Sequence, residues 1–267
     1  MTALLFKLAF AGIRSRLLAS ALTIAIAGAA AATIVLALEV RSSGRDPWQQ
    51  TFDAANGAHV LAFAHSRADA RAIANLPGVT ERSAPVPLVT ATLGPTLSPP
   101  GSTDRVELAG LSGRTTVNMP VLTAGSQLRE RGIVLERSLA RARGIEVGAT
   151  LELTTRRGTI ELPVLGTAVV PSQPRYPRRN PGLAWVSPAT LELVEPDRTT
   201  WRWTEALRLV DPAASAAFTE RAATTLRSGD LSSEAWQVQR DYALGDAQPV
   251  QVIVTVFSIL LLIVAFV

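Results

Sequence analysis

Two histidines are the residues of this chain whose type most readily binds a metal ion or transfers a proton. His59 and His65 stand six residues apart in the stretch HVLAFAH, which we expect to be extended. In an extended chain the two side chains point to the same face but lie about 20 Å apart, which is too far for them to share a metal ion. We therefore predict no metal site at this pair.

The other residue types on which enzymes rely are absent or lack the necessary spacing. The chain has no cysteine, which excludes thiolate catalysis and cysteine-based metal sites. Its one lysine, Lys7, stands in no phosphate-binding P-loop, and no serine stands in a G-x-S-x-G turn. We expect Glu136 and Glu146, which have basic neighbours, to form surface ion pairs. The sequence thus predicts no catalytic residue, no cofactor site and no enzymatic activity.

Arginine and tryptophan side chains offer two further kinds of binding site. The loop PSQPRYPRRNPG, residues 171–182, carries Arg175, Arg178 and Arg179 between four prolines. It is either a contact for anions, such as lipid headgroups or a partner, or a stiff and solvated loop. The tryptophans Trp201, Trp203 and Trp236 form either a binding cage or, as we expect, part of the core or a sheet face.

The element that organises the chain is LLASALTIAIAGAAAATIVLAL, residues 17–38, which carries no charge. As a helix it would be about 33 Å long, enough to cross a hydrocarbon layer of about 30 Å. Lys7, Arg14 and Arg16 precede it without any acid, so the positive-inside rule places the N-terminus in the cytoplasm and the following domain outside. The alternative is a cleaved signal peptide, whose apolar core is usually shorter.

Two flanking stretches complete this membrane frame. Residues 1–16 place Leu4, Leu5 and Leu8 at helical spacing, which predicts either an amphipathic helix on the cytoplasmic surface or a plain basic flank. Residues 250–267 are again uncharged and predict the beginning of a second membrane-spanning helix. No basic residues follow it, so we expect the sequence to be a fragment of a larger membrane protein.

The charge distribution argues against binding to nucleic acid. The net charge is +4, but three of the 26 basic residues precede the first apolar stretch and all 22 acidic residues follow it. The remaining 23 basic residues leave a net charge of only +1 on the rest of the chain. A nearly neutral domain is a poor ligand for a phosphate backbone.

The sequence pattern of residues 39–249 predicts a mixed α+β extracytoplasmic domain with two subdomains. Asp46 precedes a helix on which Trp48 and Phe52 share a face, and these aromatic residues anchor it to the core or the membrane interface. Strands are predicted at 59–64, 79–93, 105–111, 133–135, 150–155, 160–170, 183–186 and 201–210. Helices are predicted after the cap Ser66, at 136–143, from Ser187-Pro188 to Val194 and from Asp211-Pro212 to Leu226, and Gly144 ends the second of them. The linker GPTLSPPGSTD is a subdomain edge or a hairpin tip.

The segment IVLERSLARARGIEVGATLELTTRRGTIELPVLGTAVV, residues 133–170, resembles a recurrent segment of FtsX-like permeases of MacB-type ABC transporters. Ala140, Gly144, Gly148 and Gly166 occupy that family's characteristic positions, and the sequence LPGV at residues 76–79 and Asp211-Pro212 match more weakly. Thr150 stands where the family often has an acidic residue, and the family's chains continue to at least four spans.

The resemblance implies the permease subunit of an ABC transporter. Such a chain pairs with itself or a sister permease and with cytoplasmic ATPase subunits, contacts membrane lipid, and moves its extracytoplasmic domain for export or mechanotransmission. The alternative is a membrane-anchored binding or sensor module that works without an ATPase. Neither interpretation identifies a transported substrate.

Overall fold

The computed structural model describes residues 47–96, 103–113, 115–129, 131–226 and 231–245, together with Ala21 and Gly28, which are both helical. Several predicted segments lie outside these residues: the lead-in at 1–16, the cap Asp46 and, apart from Ala21 and Gly28, the apolar stretches at 17–38 and 250–267. Among the described residues, no helix combines the length and the hydropathy that a bilayer crossing requires. Residues 47–243 form one compact unit.

The described part of this unit contains eleven strands, two short 3₁₀-helices and six α-helices, the last of which continues two residues beyond the unit. The helices are α1 (Pro47–Ala54), α2 (Arg67–Ala74), α3 (Arg137–Arg143), α4 (Pro188–Val194), α5 (Ser215–Leu226) and α6 (Trp236–Gly245). The strands are β1 (Val60–Ala64), β2 (Val79–Arg82), β3 (Val86–Leu93), β4 (Arg105–Gly110), β5 (Val121–Gly125), β6 (Ile133–Glu136), β7 (Thr150–Thr155), β8 (Gly158–Val169), β9 (Gly182–Val186), β10 (Arg202–Leu209) and β11 (Leu231–Ala235).

All eleven described strands belong to one sheet, in the order β11-β1-β10-β3-β4-β9-β6-β8-β5, with β2 paired to β10. Strand β7 pairs with both β3 and β8, which closes the strands β3, β4, β9, β6, β8 and β7 into a ring. The pairs β4–β9 and β6–β8 are parallel, and the other pairs of the ring are antiparallel. The fold is therefore the predicted mixed α+β type, with a closed ring on one side and an open sheet on the other.

Four hydrophobic clusters fill the described part of this architecture, and two of them contain helix residues. One lies inside the ring and includes Leu108, Leu135 and Leu153, together with Leu139 of α3 and Leu191 of α4. The other lies between the open sheet and the helices α2 and α5, where residues such as Ile73 and Phe218 are buried. The sheet runs through both of these clusters. The division into two subdomains stays a prediction.

Short polar and glycine signals set the helix ends where the sequence predicts them. The Ser66 hydroxyl accepts a hydrogen bond from the Asp69 N–H at the start of α2, and the Ser187 hydroxyl accepts one from the Thr190 N–H at the start of α4. Gly144 ends α3 with φ of 64°, the left-handed conformation that a side chain disfavours. These local signals orient α2, α3 and α4 over the sheet.

The expected strand at 79–93 is divided in the structure. Strands β2 and β3 follow one another along the same edge of β10, and the backbone N–H of Ser83 between them still donates to Ala206 O at 2.8 Å. Pro85 and Pro87 lack the N–H groups that a regular ladder needs, so the pairing shifts at this point. The linker between β3 and β4 connects two antiparallel neighbours and is therefore a hairpin connection.

Candidate functional site

Four aromatic rings meet where the described domain begins and ends. We call Trp48, Phe52, His59 and Trp236 the aromatic base. The Trp48 ring stacks on Phe52 with centroids 4.9 Å apart and on Trp236 at 5.8 Å, and Phe52 stacks on His59 at 6.1 Å. Trp48 and Phe52 of α1 are both buried, as their shared helix face predicts. The base joins the first helix of the domain to the last one.

His59 is a hydrogen-bonding residue of this base. Its ring Nδ1 accepts a hydrogen bond from the backbone N–H of Leu209 at 2.9 Å, and the backbone N–H of His59 donates to Leu207 O at 2.8 Å. Burial and the positive charge of Arg208 lower the pKa of His59 below its usual value. The five residues of β1 separate it from the exposed His65, so the two histidines are apart, as predicted.

Replacing His59 with phenylalanine should destabilise the domain at neutral pH by about 1–2 kcal/mol, because the buried Leu209 N–H loses its acceptor. Since the pKa of His59 is lowered, the unfolded state binds the extra proton as the pH falls through about 6.5, and wild-type stability decreases there. The His59→Phe variant has no imidazole at this position, so its stability lacks this dependence on pH. Urea unfolding at about pH 7.5 and pH 5.5 should therefore show a smaller difference between the two proteins at the lower pH. His65→Gln is the control, and an equal effect there would contradict the assignment.

The arginine loop, residues 171–182, is fastened to the domain at several points, two of which involve Pro171 and Tyr176. The Trp48 indole N–H donates to Pro171 O at 3.1 Å, which ties the start of the loop to the aromatic base. The Tyr176 N–H donates to Ser138 Oγ at 2.7 Å, and the Tyr176 side chain is buried. The loop is thus held against the domain between its arginines and is more than a solvated connection.

Tyr176 in turn contacts a buried arginine, Arg143, whose side chain is 1% exposed. Arg143 Nε and Nη2 donate to the Tyr176 hydroxyl at 3.1 and 2.8 Å, and Nη1 donates to Asp104 Oδ1 at 2.8 Å. Nη2 also donates to the backbone oxygen of Thr103. One guanidinium therefore joins α3, the β3–β4 connection and the arginine loop.

Glu136 corrects one prediction. Its basic neighbours in the sequence predict a surface ion pair, but in the structure Glu136 is buried at the start of α3. Its Oε2 accepts the N–H groups of Ser138 and Leu139 at 2.8 and 3.0 Å. The carboxylate satisfies backbone donors that a helix start leaves unpaired, and this outweighs surface pairing. Glu146 is exposed.

A groove of about 800 Å³ opens between the arginine loop, α5, β11 and α6. Arg178 and Arg179 line one wall, and Val238 and Tyr242 of α6 line another. Glu234 of β11 also lines it; burial raises the pKa of this carboxyl, while the charge of Arg179 acts in the opposite direction. The groove combines positive charge, one acid and an apolar wall.

A smaller cavity of about 80 Å³ lies on the outer side of the ring, beneath the connection between β4 and β5. Its lining is mostly apolar, but it includes Asn118 Oδ1 and Thr204 Oγ1, two buried atoms without a hydrogen-bond partner among the described residues. It also includes Glu107, which pairs with Arg202. The space is large enough for several water molecules.

The helix side of β10 carries a buried acid, Glu205, which is 1% exposed. Its Oε2 has no hydrogen-bond partner in the described part of the chain. Burial raises the pKa of this carboxyl to about 7, against the charges of Arg82, Arg71 and Arg67, which favour ionisation. Neither Glu205 nor Arg143 is among the residues that the sequence analysis selects.

The predicted site residues lie in different parts of the domain. Within the described ranges, no group of three or more histidine and acidic side chains is placed to hold a metal ion. The prediction that the chain is not an enzyme stays a prediction. Trp201 is buried in the ring cluster with Trp203 packed against that cluster, which confirms the core reading for this pair, while Trp236 belongs to the aromatic base.

Comparison with known proteins gives structural neighbours only. No protein-family model matches the chain, and no curated protein matches it. The periplasmic region of MacB from Actinobacillus actinomycetemcomitans is similar at 12% identity and a TM-score of 0.39, over 68% of this chain and 91% of that one. The extracellular domain of the noncanonic ABC-type transporter YknZ from Gram-positive bacteria is similar at 9% identity and a TM-score of 0.39, over 66% and 99%.

Proposed function

We propose that this chain is the membrane permease subunit of an ABC transporter, with residues 39–249 outside the cytoplasm. In this proposal a cytoplasmic ATPase subunit hydrolyses ATP, and the permease converts that energy into movement of its extracytoplasmic domain, for export or for mechanotransmission. A second permease chain, identical or related, completes the membrane unit. The uncharged stretches at 17–38 and 250–267 supply the two membrane crossings.

The observation that carries the proposal is the meeting of the two ends of the domain. Trp48 of the first described helix of the unit stacks on Trp236 of the last, and the backbone N–H of Trp236 donates to His59 O at 3.0 Å. The first strand, β1, is also the direct neighbour of the last strand, β11. A domain inserted between two membrane-spanning helices must receive and return the chain on its membrane side, and this arrangement meets that requirement.

The continuous sheet supports a role in transmitting movement. Every described strand belongs to the same hydrogen-bonded network, which extends from β11 beside the aromatic base to β5 at the far end of the strand order. Such a network favours displacement of the domain as a unit over deformation of a single element. The chain has no P-loop lysine, so in this proposal the energy source is a partner subunit.

Purification of the protein from its native membranes in mild detergent tests this function. We expect an ATPase subunit to be retained and the complex to hydrolyse ATP. A topology reporter fused at residue 150 should report an extracytoplasmic position, and a cytoplasmic signal there would overturn the proposal. The cavity lined by Asn118 and Thr204, whose Oδ1 and Oγ1 atoms have no hydrogen-bond partner among the described residues, favours the second candidate, a membrane-anchored binding or sensor module. A protein that is recovered without ATPase and without activity would support that candidate.

A further inference from the structure

The arginine loop and α6 together form a groove whose chemistry matches an anionic amphiphile. Arg178 and Arg179 are adjacent in sequence and both line the groove. Asn180 also lines the groove, and its Oδ1 accepts a hydrogen bond from the Thr103 hydroxyl at 2.6 Å. Guanidinium groups bind phosphate oxygens with paired hydrogen bonds, which makes two neighbouring arginines a suitable phosphate ligand.

Another part of the groove lining is apolar and exposed. Val238 and Tyr242 stand one helical turn apart on α6 and are 43% and 49% exposed. An exposed aliphatic side chain beside a tyrosine is typical of surfaces at the boundary between lipid and water, where the ring is apolar and its hydroxyl is hydrated. Only six residues separate Ala243 from the uncharged stretch at 250–267. The groove is thus built by the helix that immediately precedes this apolar stretch in the chain.

The loop that carries the arginines is held at a fixed place. Trp48 binds Pro171 O at the start of the loop, and the buried Tyr176 holds its middle. Because these contacts belong to the folded domain, the backbone that carries Arg178 and Arg179 is already ordered, which lowers the entropic cost of binding. Glu234 is the opposing charge in the groove, and it interacts with Arg179.

We propose that this groove binds the phosphate of an anionic phospholipid headgroup, with Arg178 and Arg179 as its ligands and α6 against the glycerol and upper acyl region. The occupant is a lipid of the membrane in which the proposed permease is embedded, so the inference rests on the proposed function. The headgroup would hold the membrane side of the domain at the lipid surface.

Calorimetric titration of the full chain in a non-ionic maltoside detergent tests this site. The probe is dihexanoyl phosphatidylglycerol below its micelle concentration, compared with dihexanoyl phosphatidylcholine and with inorganic phosphate. We expect saturable binding of phosphatidylglycerol, with at least tenfold weaker binding of phosphatidylcholine, whose choline cation offsets the phosphate charge. Inorganic phosphate should compete only at about a hundredfold higher concentration, because it makes no contact with α6.

Variants give effects of opposite sign. R178Q/R179Q should weaken binding of phosphatidylglycerol at least tenfold, because two phosphate ligands are lost. Glu234→Gln should strengthen it about threefold, because a carboxylate that repels the phosphate is removed. The control R141Q/R157Q removes the same charge from two arginines outside the groove and should leave affinity unchanged. All variants should keep the wild-type unfolding transition.

Three results would overturn the inference: no saturable binding, equal affinities for R178Q/R179Q and the control, or competition by inorganic phosphate at the same concentration as the lipid. The last result would identify a site for free phosphate. Because the titration is performed in detergent, it depends neither on topology nor on an ATPase. Failure of headgroup binding therefore leaves the permease proposal standing, while a cytoplasmic topology signal at residue 150 refutes that proposal independently.

Discussion

Replacing Arg143 with methionine is expected to lower the free energy of unfolding by about 3 kcal/mol. The guanidinium contacts Tyr176, Asp104 and the Thr103 backbone at once, and methionine fills a similar volume without any donor. The loss stays below the largest values for buried ion pairs for two reasons. Asp104 is 58% exposed and can be hydrated, and the variant no longer carries the cost of burying a cation.

Urea unfolding in mild detergent, followed by tryptophan fluorescence, measures this effect. Arg143→Lys should recover at most part of the loss, because an ammonium group cannot reach three partners in the planar arrangement of a guanidinium. The control is Arg141→Met on the same helix, where the exposed side chain predicts a change within about 0.5 kcal/mol. Amide exchange should also accelerate in residues 171–182, because Arg143 holds Tyr176. An Arg143→Met protein as stable as the control would refute this network.

Replacing Glu205 with glutamine should stabilise the domain above about pH 8 by up to about 3 kcal/mol. The pKa of Glu205 is raised to about 7, so the folded state holds a proton that the unfolded state releases at about pH 4.5. Between these two pH values the folded state therefore binds more protons than the unfolded state. The contribution of Glu205 to the stability of the wild type falls as the pH rises from about 4.5 to about 7. Glutamine is uncharged throughout and avoids the cost of an ionised carboxylate with an unpartnered oxygen.

The measurement is the free energy of unfolding at several pH values between about 5 and 8. The wild-type and Glu205→Gln curves should nearly coincide at the acid end and separate towards the alkaline end. Glu220→Gln, at an exposed position of α5, is the matched control and should give a curve parallel to the wild type. If the Glu205 variant also ran parallel to the wild type, the three arginines around this site would hold the carboxylate ionised at all these pH values.

Local signals were sufficient for much of the fold. Ser66, Ser187 and Gly144 act on backbone groups within a few residues, and the structure has the corresponding helix ends where the sequence predicts them. The hairpin of β7 and β8 follows equally from its turn and from alternating burial along β7. In each case the physical cause lies inside the segment that carries the signal.

The features that were not predicted from the sequence depend on residues that are distant from one another in the chain. Arg143 binds Tyr176 and Asp104, which lie 33 and 39 residues away. Its position four residues after Leu139 on one helix face was a usable signal for burial, although charge argued against it. Glu205 is buried because β10 lies between β1 and the strands β2 and β3. The groove needs the arginine loop, β11 and α6 together, and no single segment predicts it.

The neighbouring position of β1 and β11 determines how this domain resists force. The two attachment points of the described domain are α1, which precedes Val60, and α6, which follows Ala235, and Val60 and Ala235 are paired. A force that separates these two attachment points must first detach α1 and α6, whose contacts include the stack of Trp48 on Trp236 and the hydrogen bond from Trp48 to Pro171 O. It then opens the ladder one pair at a time, from Val60–Ala235 towards Ala64–Leu231. Peeling of this kind needs little force. A force that moves both attachment points in the same direction leaves the pairs closed, so the domain is stiff towards joint displacement and weak towards lateral separation.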